Sequence, residues 1–463
     1  MHFSVTTAVV GLATISAALP QGELWTADNL NDVEPVDAVP MEDLRAMKLK
    51  FAKEQEEAGF FDAGRYPSTM AAKKCEGGKA GDFKCQGVDL MGFLSHEAMK
   101  SKTRAGNDVW GWTSPDGREI AIIGQRDNTG FAEVMKDGSL VFLANLPTAS
   151  GNDMWRDIKT IGDYAYIVAD VANHGMQVVD MKKILAIDPK SPKTLSKSDL
   201  TAHYTGFGAC HNVVATPSTN TVYCALTMSN NCGGKLAPVD VSDPANPKGL
   251  PCIKGGMRVH DAMCVIYDGP DTKYKGKEIC LDFDEKQFTI VDMTDKNNGK
   301  EVAKKTYNGL RYTHQGWWTD NTHRFILLGD ELDEGKTDIA KDMHTRTFII
   351  DAKDLANPVF TGVYRSPAKA IDHNLFSIDG IAYMANYNAG MRVVDTRSLA
   401  EDPTGKGMKE IAYFDIYPDD DNGKEKLGWV GSWGVYPYFK SGHIIISGIE
   451  RGAFSVKLQK GVL

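Results

Sequence analysis

Four histidines stand at the start of four short apolar runs in this chain. The runs are "GACHNVVAT" (208–216), "RVHDAMCVI" (258–266), "YTHQGWWTD" (312–320) and "AIDHNLFSI" (370–378). Neutral imidazole nitrogens are good ligands for transition metals, so four histidines brought to one place would form a metal site. The fold must therefore bring together His211, His260, His314 and His373.

An internal repeat predicts that arrangement. Apolar runs that end in Asp recur along the chain, each followed by turn-forming residues, as at the end of a strand. The aspartates are Asp180, Asp240, Asp292, Asp351 and Asp395, at steps of 60, 52, 59 and 44 residues. Similar groups of strands without a His occur before and after these units, and together they make seven β units. Seven such units predict an all-β, seven-bladed β-propeller. A pair of β-sandwiches is the alternative, but it has no reason to keep a repeat in register.

The predicted propeller places one residue from each blade at one level of its channel. The first strand of a blade lines the channel, and alternate side chains point inward. Aligning the repeats on their second strands makes seven positions equivalent: Trp110, Arg156, His211, His260, His314, His373 and either Ser432 or Trp433. We predict a divalent metal ion (Zn, Mn, Fe or Ca) on the four histidines. In the alternative interpretation, each His bonds backbone or channel water.

Three neighbours of these histidines are of types that orient metal-bound rings. They are Asp261, Gln315 and Asn374. Carboxylate and amide oxygens accept the hydrogen bond from the second ring nitrogen of a ligating His. We therefore expect them to hold the imidazoles in position.

The loops on the same face of the predicted ring are rich in Asp, Glu, Arg and Asn. Together with aromatic residues they predict a polar bowl that suits a sugar. The predicted substrate-binding residues are Trp110, Trp317, Asp330, Glu331, Asn386 and Arg451. Arg156 would clamp a substrate carboxylate, and Tyr312 or His174 would act as the base. Each loop taken alone is equally consistent with a tight solvated turn.

The first residues predict secretion. An apolar run followed by small residues makes 1–18 a signal peptide, and 19–105 would be an extension with a helix within 40–59, packed on a propeller over 106–463. The cysteines support an oxidising compartment, and pairing of neighbours gives 75–85, 210–224, 232–252 and 264–280. No later stretch is long enough to span a membrane. With a net charge of −9 there is no basic footprint for nucleic acid. We expect a secreted, extracellular monomer.

Several motifs carry a family resemblance. They include "WRDIK", "VHDAMCVIYDGPD", "THQGWWT", "GDELDE", "ANYNAGMRVVD" and "GIERGAF". Over residues 85–457 the chain resembles the LVIVD-repeat, choice-of-anchor B family, which has secreted fungal members beside bacterial surface-anchored ones. The resemblance implies a β-propeller and an extracytoplasmic location, without a settled activity.

Three functions are compatible with the sequence. The first is a metal-dependent enzyme on an extracellular or cell-wall carbohydrate, in its sharpest form a lyase on uronic acids whose metal neutralises the carboxylate. The second is a non-catalytic extracellular binding or cell-surface protein. The third is an Fe(II) oxygenase, which needs an apolar tunnel where the sequence predicts a polar bowl.

Overall fold

The seven-bladed β-propeller predicted from the repeat is confirmed. The computed structural model describes residues 25–31, 33, 38–226, 232–252, 258–421 and 426–463. Within these residues the strands form seven mainly antiparallel sheets. The predicted signal peptide, residues 1–18, lies outside the described residues.

The strands of each blade follow one another from the channel outward. The first two blades consist of Gly106–Thr113, Glu119–Gln125, Asn128–Val134 and Leu140–Pro147, then Arg156–Ile161, Tyr164–Ala169, Met176–Asp180 and Ala202–Tyr204. The third and fourth consist of Asn212–Thr216, Thr221–Ala225, Ala237–Asp240 and Lys248–Gly249, then Asp261–Ile266, Glu278–Asp284, Gln287–Asp292 and Lys300–Lys305. The fifth and sixth consist of Thr313–Trp318, Phe325–Asp330, His344–Asp351 and Val359–Lys369, then Asn374–Ile378, Ile381–Ala385, Met391–Asp395 and Lys409–Phe414. The seventh begins with Ser432–Tyr436, His443–Gly448 and Gly452–Leu458.

The innermost strands form the ring that carries the histidines. Each contacts the innermost strand of the next blade, and Ser432–Tyr436 of the seventh blade returns to Gly106–Thr113 of the first. The first strand of every blade therefore lines the channel, as the alignment of repeats assumed. This arrangement places His211, His260, His314 and His373 immediately before or within four successive inner strands.

An N-terminal strand closes the ring. Val88–Ser95 is the fourth strand of the seventh blade and pairs antiparallel with Gly452–Leu458. A second segment, Phe83–Gln86, extends the sixth blade by pairing with Lys409–Phe414. The propeller therefore begins before the predicted boundary at residue 106. The sequence repeat does not reveal this strand, because it pairs with residues at the opposite end of the chain and lacks the Asp-terminated motif. Short strands Thr69–Met70 and Lys79–Ala80 lie beside it, and Lys193–Thr194 lies on the first blade.

The helices are few, and one of them covers the channel. They are α1 (Ala27–Leu30), α2 (Met41–Glu57) and α3 (Met181–Leu185), with 3-10 turns at Lys197–Asp199, Pro217–Thr219, Arg397–Ala400 and Pro418–Asp420. Helix α2 is the predicted helix within 40–59; its Pro-led start suits a first turn, and its buried residues are Met41, Leu44 and Lys48. Among the described residues no helix is both long and apolar enough to cross a membrane.

All four predicted disulfides are present. They join Cys75 to Cys85, Cys210 to Cys224, Cys232 to Cys252, and Cys264 to Cys280. Three of them lie in the third and fourth blades. Such bonds restrict the unfolded chain and suit an oxidising compartment.

One buried carboxyl group in the fourth blade makes stability depend on pH. Asp282 lies in Glu278–Asp284, is 3% exposed, and its Oδ1 atom has no hydrogen-bond partner. Burial raises the pKa of Asp282 to about 8. The folded state therefore keeps a proton that the unfolded chain releases near pH 4, so this group destabilises the fold as pH rises from about 4 to about 8.

We expect Asp282→Asn to remove this penalty. The stability advantage of the variant over the natural protein should grow by about 1.4 kcal/mol for each pH unit between about pH 5 and pH 8. Denaturant unfolding across that range measures it, with Asp295→Asn, an exposed position near the same blade's third strand, as the control. A difference that stays constant with pH would contradict the interpretation.

Candidate metal centre

The four predicted histidines lie side by side around the axis. The ring centroids of His211 and His260 are 4.6 Å apart, those of His260 and His314 are 4.4 Å apart, and those of His314 and His373 are 4.5 Å apart. All four side chains are at most 4% exposed. They enclose a space of about 10 Å³, together with Lys48, Trp155, Arg156, Asn212, Asn374 and Trp433. That volume is of the order of a single water molecule.

Backbone carbonyls of the next blade fix two of the rings. The Nδ1–H of His260 donates to the carbonyl of His314 (2.9 Å), and the Nδ1–H of His373 donates to the carbonyl of Trp433 (2.6 Å). A carbonyl only accepts, so Nδ1 carries the hydrogen in both rings. Neutral rings of this tautomer have their lone pair on Nε2, which is the atom available to a metal.

The contact between His211 and His260 brings two ring nitrogens face to face. His211 Nδ1 lies 3.0 Å from Oδ2 of Asp170, and that oxygen also accepts from Arg45 (2.6 Å). His211 Nε2 lies 3.0 Å from His260 Nε2, whose lone pair is exposed to it. Two lone pairs do not approach this closely unless a proton or a cation lies between them. Either a hydrogen on Nε2 of His211 is donated to Nε2 of His260, or both nitrogens face an ion.

A carboxylate completes the compact donor group on the other side of the cavity. Donor atoms of His314, His373 and Glu331 all lie within 4.8 Å of one another, and all three residues are buried. Glu331 Oε2 lies 3.5 Å from His314 Nε2 and accepts no hydrogen bond. Within the described residues, the compact donor group at the axis thus contains two of the predicted histidines and a glutamate predicted to bind substrate. The ligand set of four histidines stays a prediction.

Helix α2 closes this site with a lysine. Lys48 is 4% exposed and forms a salt bridge with Oε1 of Glu331, leaving Oε2 directed at His314. The hydroxyl of Tyr387 donates to the same Oε1 atom (2.6 Å) and lies 3.1 Å from the Lys48 amine. The amine also lies 5.5 Å from the centre of the Trp433 ring. The predicted open bowl is therefore wrong at the axis, because α2 fills its mouth.

Burial keeps the imidazoles neutral. It lowers the pKa of His260, His314 and His373 well below the ordinary value, and the neighbouring imidazoles and Lys48 lower it further. Burial also lowers the pKa of Lys48, against the opposing effect of Glu331. Neutral imidazoles beside a carboxylate are the protonation states that a transition metal requires.

The three residues predicted to be catalytic are committed to internal partners. Arg156 lines the cavity but donates from Nε to the carbonyl of Gln125 (3.0 Å), and its Nη1 lies 3.1 Å from Nε2 of His174. Burial, with Arg156 beside it, lowers the pKa of His174 to about 3. The hydroxyl of Tyr312 donates to the sulfur of Met41 (3.0 Å). Burial raises the pKa of Tyr312 well above its ordinary value, and nearby carboxylates raise it further.

The three residues predicted to orient the imidazole rings contact other groups. Gln315 links two inner strands, because its side chain donates to the carbonyl of Leu375 and accepts from the N–H of Leu375. Asp261 accepts from the N–H of Ala262 (2.7 Å), and Asn374 lines the cavity. Within the part of the chain that the structure describes, none of these three side chains forms a hydrogen bond to an imidazole ring. Carbonyls hold the rings of His260 and His373 instead, and Asp170 contacts that of His211.

Two predicted aromatic walls lie deeper in the channel. Trp110 packs against Phe376 (centroids 5.6 Å apart) and Tyr436 (5.2 Å), and Trp317 packs against Phe376 (5.0 Å). Phe376 follows His373 by three residues, so these tryptophans lie beyond the level of the histidines. The alignment misplaced Trp110 because the turn between the first two strands is longer in the first blade (114–118) than in the sixth (379–380), and their pairing also shifts register between Gly106 and Val109.

The remaining predicted substrate residues stabilise loops. Asp330 is fully buried and accepts from the N–H groups of Arg311 (2.8 Å) and Tyr312 (2.9 Å). Asn386 is buried and donates to the hydroxyl of Thr345 (3.3 Å). Arg451 forms an ion pair with Asp419 (2.6 Å). These partners occupy the polar atoms that the prediction assigned to a sugar.

Sequence reasoning missed Lys48 and Asp170. Lys48 lies on the face of α2 that also carries Met41 and Leu44, and a lysine on an apolar face is a signal of a buried partner. Asp170 ends the second strand of its blade, where the loops toward the axis begin. The sequence shows an acidic residue at this position, but whether it pairs with His211 depends on the relative placement of two blades.

Comparison with known proteins supports the fold and does not indicate a function. No family model matches the chain, and no curated protein matches it. The solved structure of Kuenenia stuttgartiensis hydrazine synthase is similar, with a TM-score of 0.50 and 11% sequence identity over 76% of this chain and 96% of that chain. At that identity the likeness shows the fold alone. The resemblance to the LVIVD-repeat family stays a prediction.

The salt bridge between Lys48 and Glu331 is open to a double-mutant test. Removing one partner of a buried ion pair leaves an unpaired charge, so we expect Lys48→Met and Glu331→Gln each to cost about 3–5 kcal/mol in the metal-free protein. The double variant should cost clearly less than the sum, because neither charge remains. Denaturant unfolding measures all four proteins. Additive costs would mean that the two groups do not interact.

Proposed function

We propose that this protein is an extracellular metalloprotein that holds one transition-metal ion near the axis of its propeller. His314, His373 and Glu331 would bind the ion, with the Nε2 atom of His260 next to them. The proposal also takes the chain to be a relative of the LVIVD-repeat family. The disulfides support an extracellular location, because they form and persist in oxidising compartments.

One observation carries the proposal: a carboxylate oxygen without a hydrogen bond faces an imidazole nitrogen in a small buried cavity. Oε2 of Glu331 is buried without a hydrogen bond, 3.5 Å from a nitrogen of His314. Leaving a charged oxygen buried and unpaired is costly. Burial lowers the pKa of His314 and keeps the ring neutral, so an N–H on Nε2 would reach Oε2 only over 3.5 Å, and a cation between the two atoms would satisfy both better.

The donor chemistry limits the choice of ion. Two imidazoles and one carboxylate suit zinc, manganese or iron, whereas calcium prefers a shell of oxygen atoms. A bound ion would supply Lewis acidity and, if it were iron, redox chemistry. The protein's own contribution is to hold the His373 ring by its Nδ1–H bond to the carbonyl of Trp433 and to exclude bulk water with α2.

Access to the site supports small partners over a polymer. The space among the histidines is about 10 Å³, and Lys48 lies over it. A uronide lyase would need an open face and a base beside the metal, whereas Tyr312 and His174 are fixed by internal partners. The lyase hypothesis therefore receives less support than metal binding alone. The donor group of His314, His373 and Glu331 is of the kind found in Fe(II) oxygenases, which favours that alternative to the lyase.

A second candidate function is extracellular carbohydrate binding away from the axis. An open groove of about 830 Å³ lies between the fifth and sixth blades, a size that accommodates a small oligosaccharide. Cationic and aromatic side chains line it, among them Arg365, Lys369, Lys409 and Tyr413. Acidic side chains line the groove as well, so it offers both donors and acceptors to sugar hydroxyls, and this supports the binding-protein alternative for the whole molecule.

Metal stoichiometry tests the axial site. Chelator-treated protein is loaded separately with Zn²⁺, Mn²⁺ or anaerobic Fe²⁺, freed of excess ion, and measured by mass spectrometry. We expect about one equivalent of at least one ion, and a loss of about tenfold or more in affinity for His314→Ala, His373→Ala and Glu331→Gln. His203→Ala, which removes an imidazole outside the cavity, should bind normally.

Folding is checked in the same samples by near-ultraviolet circular dichroism. A natural protein that binds none of these ions contradicts the proposal. So do folded variants that retain full stoichiometry without His314 or Glu331.

A further inference from the structure

Three aspartates converge on the outer side of the sixth blade. Carboxylate oxygens of Asp415, Asp420 and Asp421 all lie within 4.8 Å of one another. Asp415 follows the strand Lys409–Phe414, and the other two lie at the end of the 3-10 turn Pro418–Asp420. Asp415 is 7% and Asp421 is 8% exposed. Three carboxylates this close repel one another unless a positive charge lies among them.

A buried amide oxygen beside them points to a ligand. Asn388 is 3% exposed and stands in the turn between Ile381–Ala385 and Met391–Asp395. Its Nδ2 donates to Oδ2 of Asp420 (2.9 Å), which places the amide against the carboxylates. Its Oδ1 atom is buried and has no hydrogen-bond partner. The amide that contacts Asp420 thus carries an unsatisfied oxygen, which a cation held by the carboxylates would satisfy.

A lysine holds part of the positive charge at this position. Nζ of Lys84 lies 2.6 Å from Oδ1 of Asp421, and the Lys84 side chain is 38% exposed. Since the Lys84 side chain is flexible and partly exposed, its ammonium can move to solvent when another cation arrives.

The position is open to ions from solution. Asp415, Asp420, Asp421 and Asn388 all line the groove between the fifth and sixth blades. The groove gives a hydrated ion a path to the carboxylates without unfolding of the blade.

We propose that Asp415, Asp420, Asp421 and the amide oxygen of Asn388 form a calcium site. All four donors are oxygens, and calcium takes six to eight oxygen ligands, carboxylates and Asn carbonyls among them. Oxygens on one calcium ion at about 2.4 Å lie at most about 4.8 Å apart, so the three carboxylates are close enough to share one ion. Water from the groove would complete the shell. Magnesium fits less well, because it demands near-ideal octahedral geometry and gives up its own water reluctantly.

This site is independent of the axial metal centre. It contains no nitrogen donor, and its ligands come from the sixth blade alone. Its oxygen ligands favour a hard ion such as calcium, whereas the nitrogen ligands at the His314 site favour a transition metal. Glu331→Gln should therefore leave calcium binding unchanged, so the two proposals fail or survive separately.

Calorimetric titration of chelator-treated, full-length protein with CaCl₂ tests the proposal. We expect one site, with a dissociation constant of about 10⁻⁴–10⁻³ M or tighter, as in extracellular calcium modules. Asp421→Asn and Asp420→Asn should each weaken binding at least about tenfold, and Lys84→Met should tighten it about threefold or more because a competing cation is gone. Asp419→Asn is the matched control: it removes the same charge at the adjacent position, where Asp419 pairs with Arg451.

Thermal unfolding of each variant without calcium shows whether it has folded. The proposal is overturned if neither the natural protein nor Lys84→Met binds calcium. It is equally overturned if Asp420→Asn and Asp421→Asn, both folded, bind as well as Asp419→Asn does. Binding of Mg²⁺ as tight as that of Ca²⁺ would reject the assignment to calcium.

Discussion

Hydrogen bonds between imidazole rings and neighbouring inner strands are the constraint on which the axial site depends. His260 and His373 each donate from Nδ1 to a carbonyl of the next blade, so the ring closure of the propeller sets the orientation of its own histidines. Because these carbonyls belong to strands, the Nε2 atoms are held as rigidly as the sheets. The metal centre is in this sense a property of the circular arrangement of blades, and Val88–Ser95, which completes the seventh blade, belongs to the same structure.

Helix α2 turns an open channel into a closed, charged cavity. Its Lys48 brings one positive charge to Glu331, and its Arg45 brings another to Asp170, the partner of His211. The helix therefore contacts both halves of the histidine cluster through ion pairs. This explains why a site built from propeller residues excludes a polymer, and why metal binding without access to large substrates is the function that the geometry supports best. The open groove beside the sixth blade offers a separate surface, where oxygen donors and basic residues lie together.

Much of the fold was predictable, because strand patterns and repeats are local properties of the sequence. The seven blades, helix α2, the four disulfides and the proximity of the four histidines all follow from spacing within or between adjacent repeats. The partners of the site were less accessible. Lys48 reaches Glu331 across 283 residues, and nothing in the helix itself indicates which surface it covers. The level of Trp110 could not be predicted by counting residues, because the first blade has a longer turn between its first two strands and a register shift in their pairing. Carbonyl groups that orient rings carry no sequence signal.

The most direct measurement is anomalous diffraction from crystals of the metal-loaded protein, recorded on both sides of the absorption edge of the bound ion. A difference peak among His314 Nε2, His373 Nε2 and Glu331 Oε2, at about 2.0–2.2 Å from each, is the result that the account predicts. A fully loaded protein whose peak lies elsewhere, with the Lys48 amine still the nearest cation to Glu331, would contradict it.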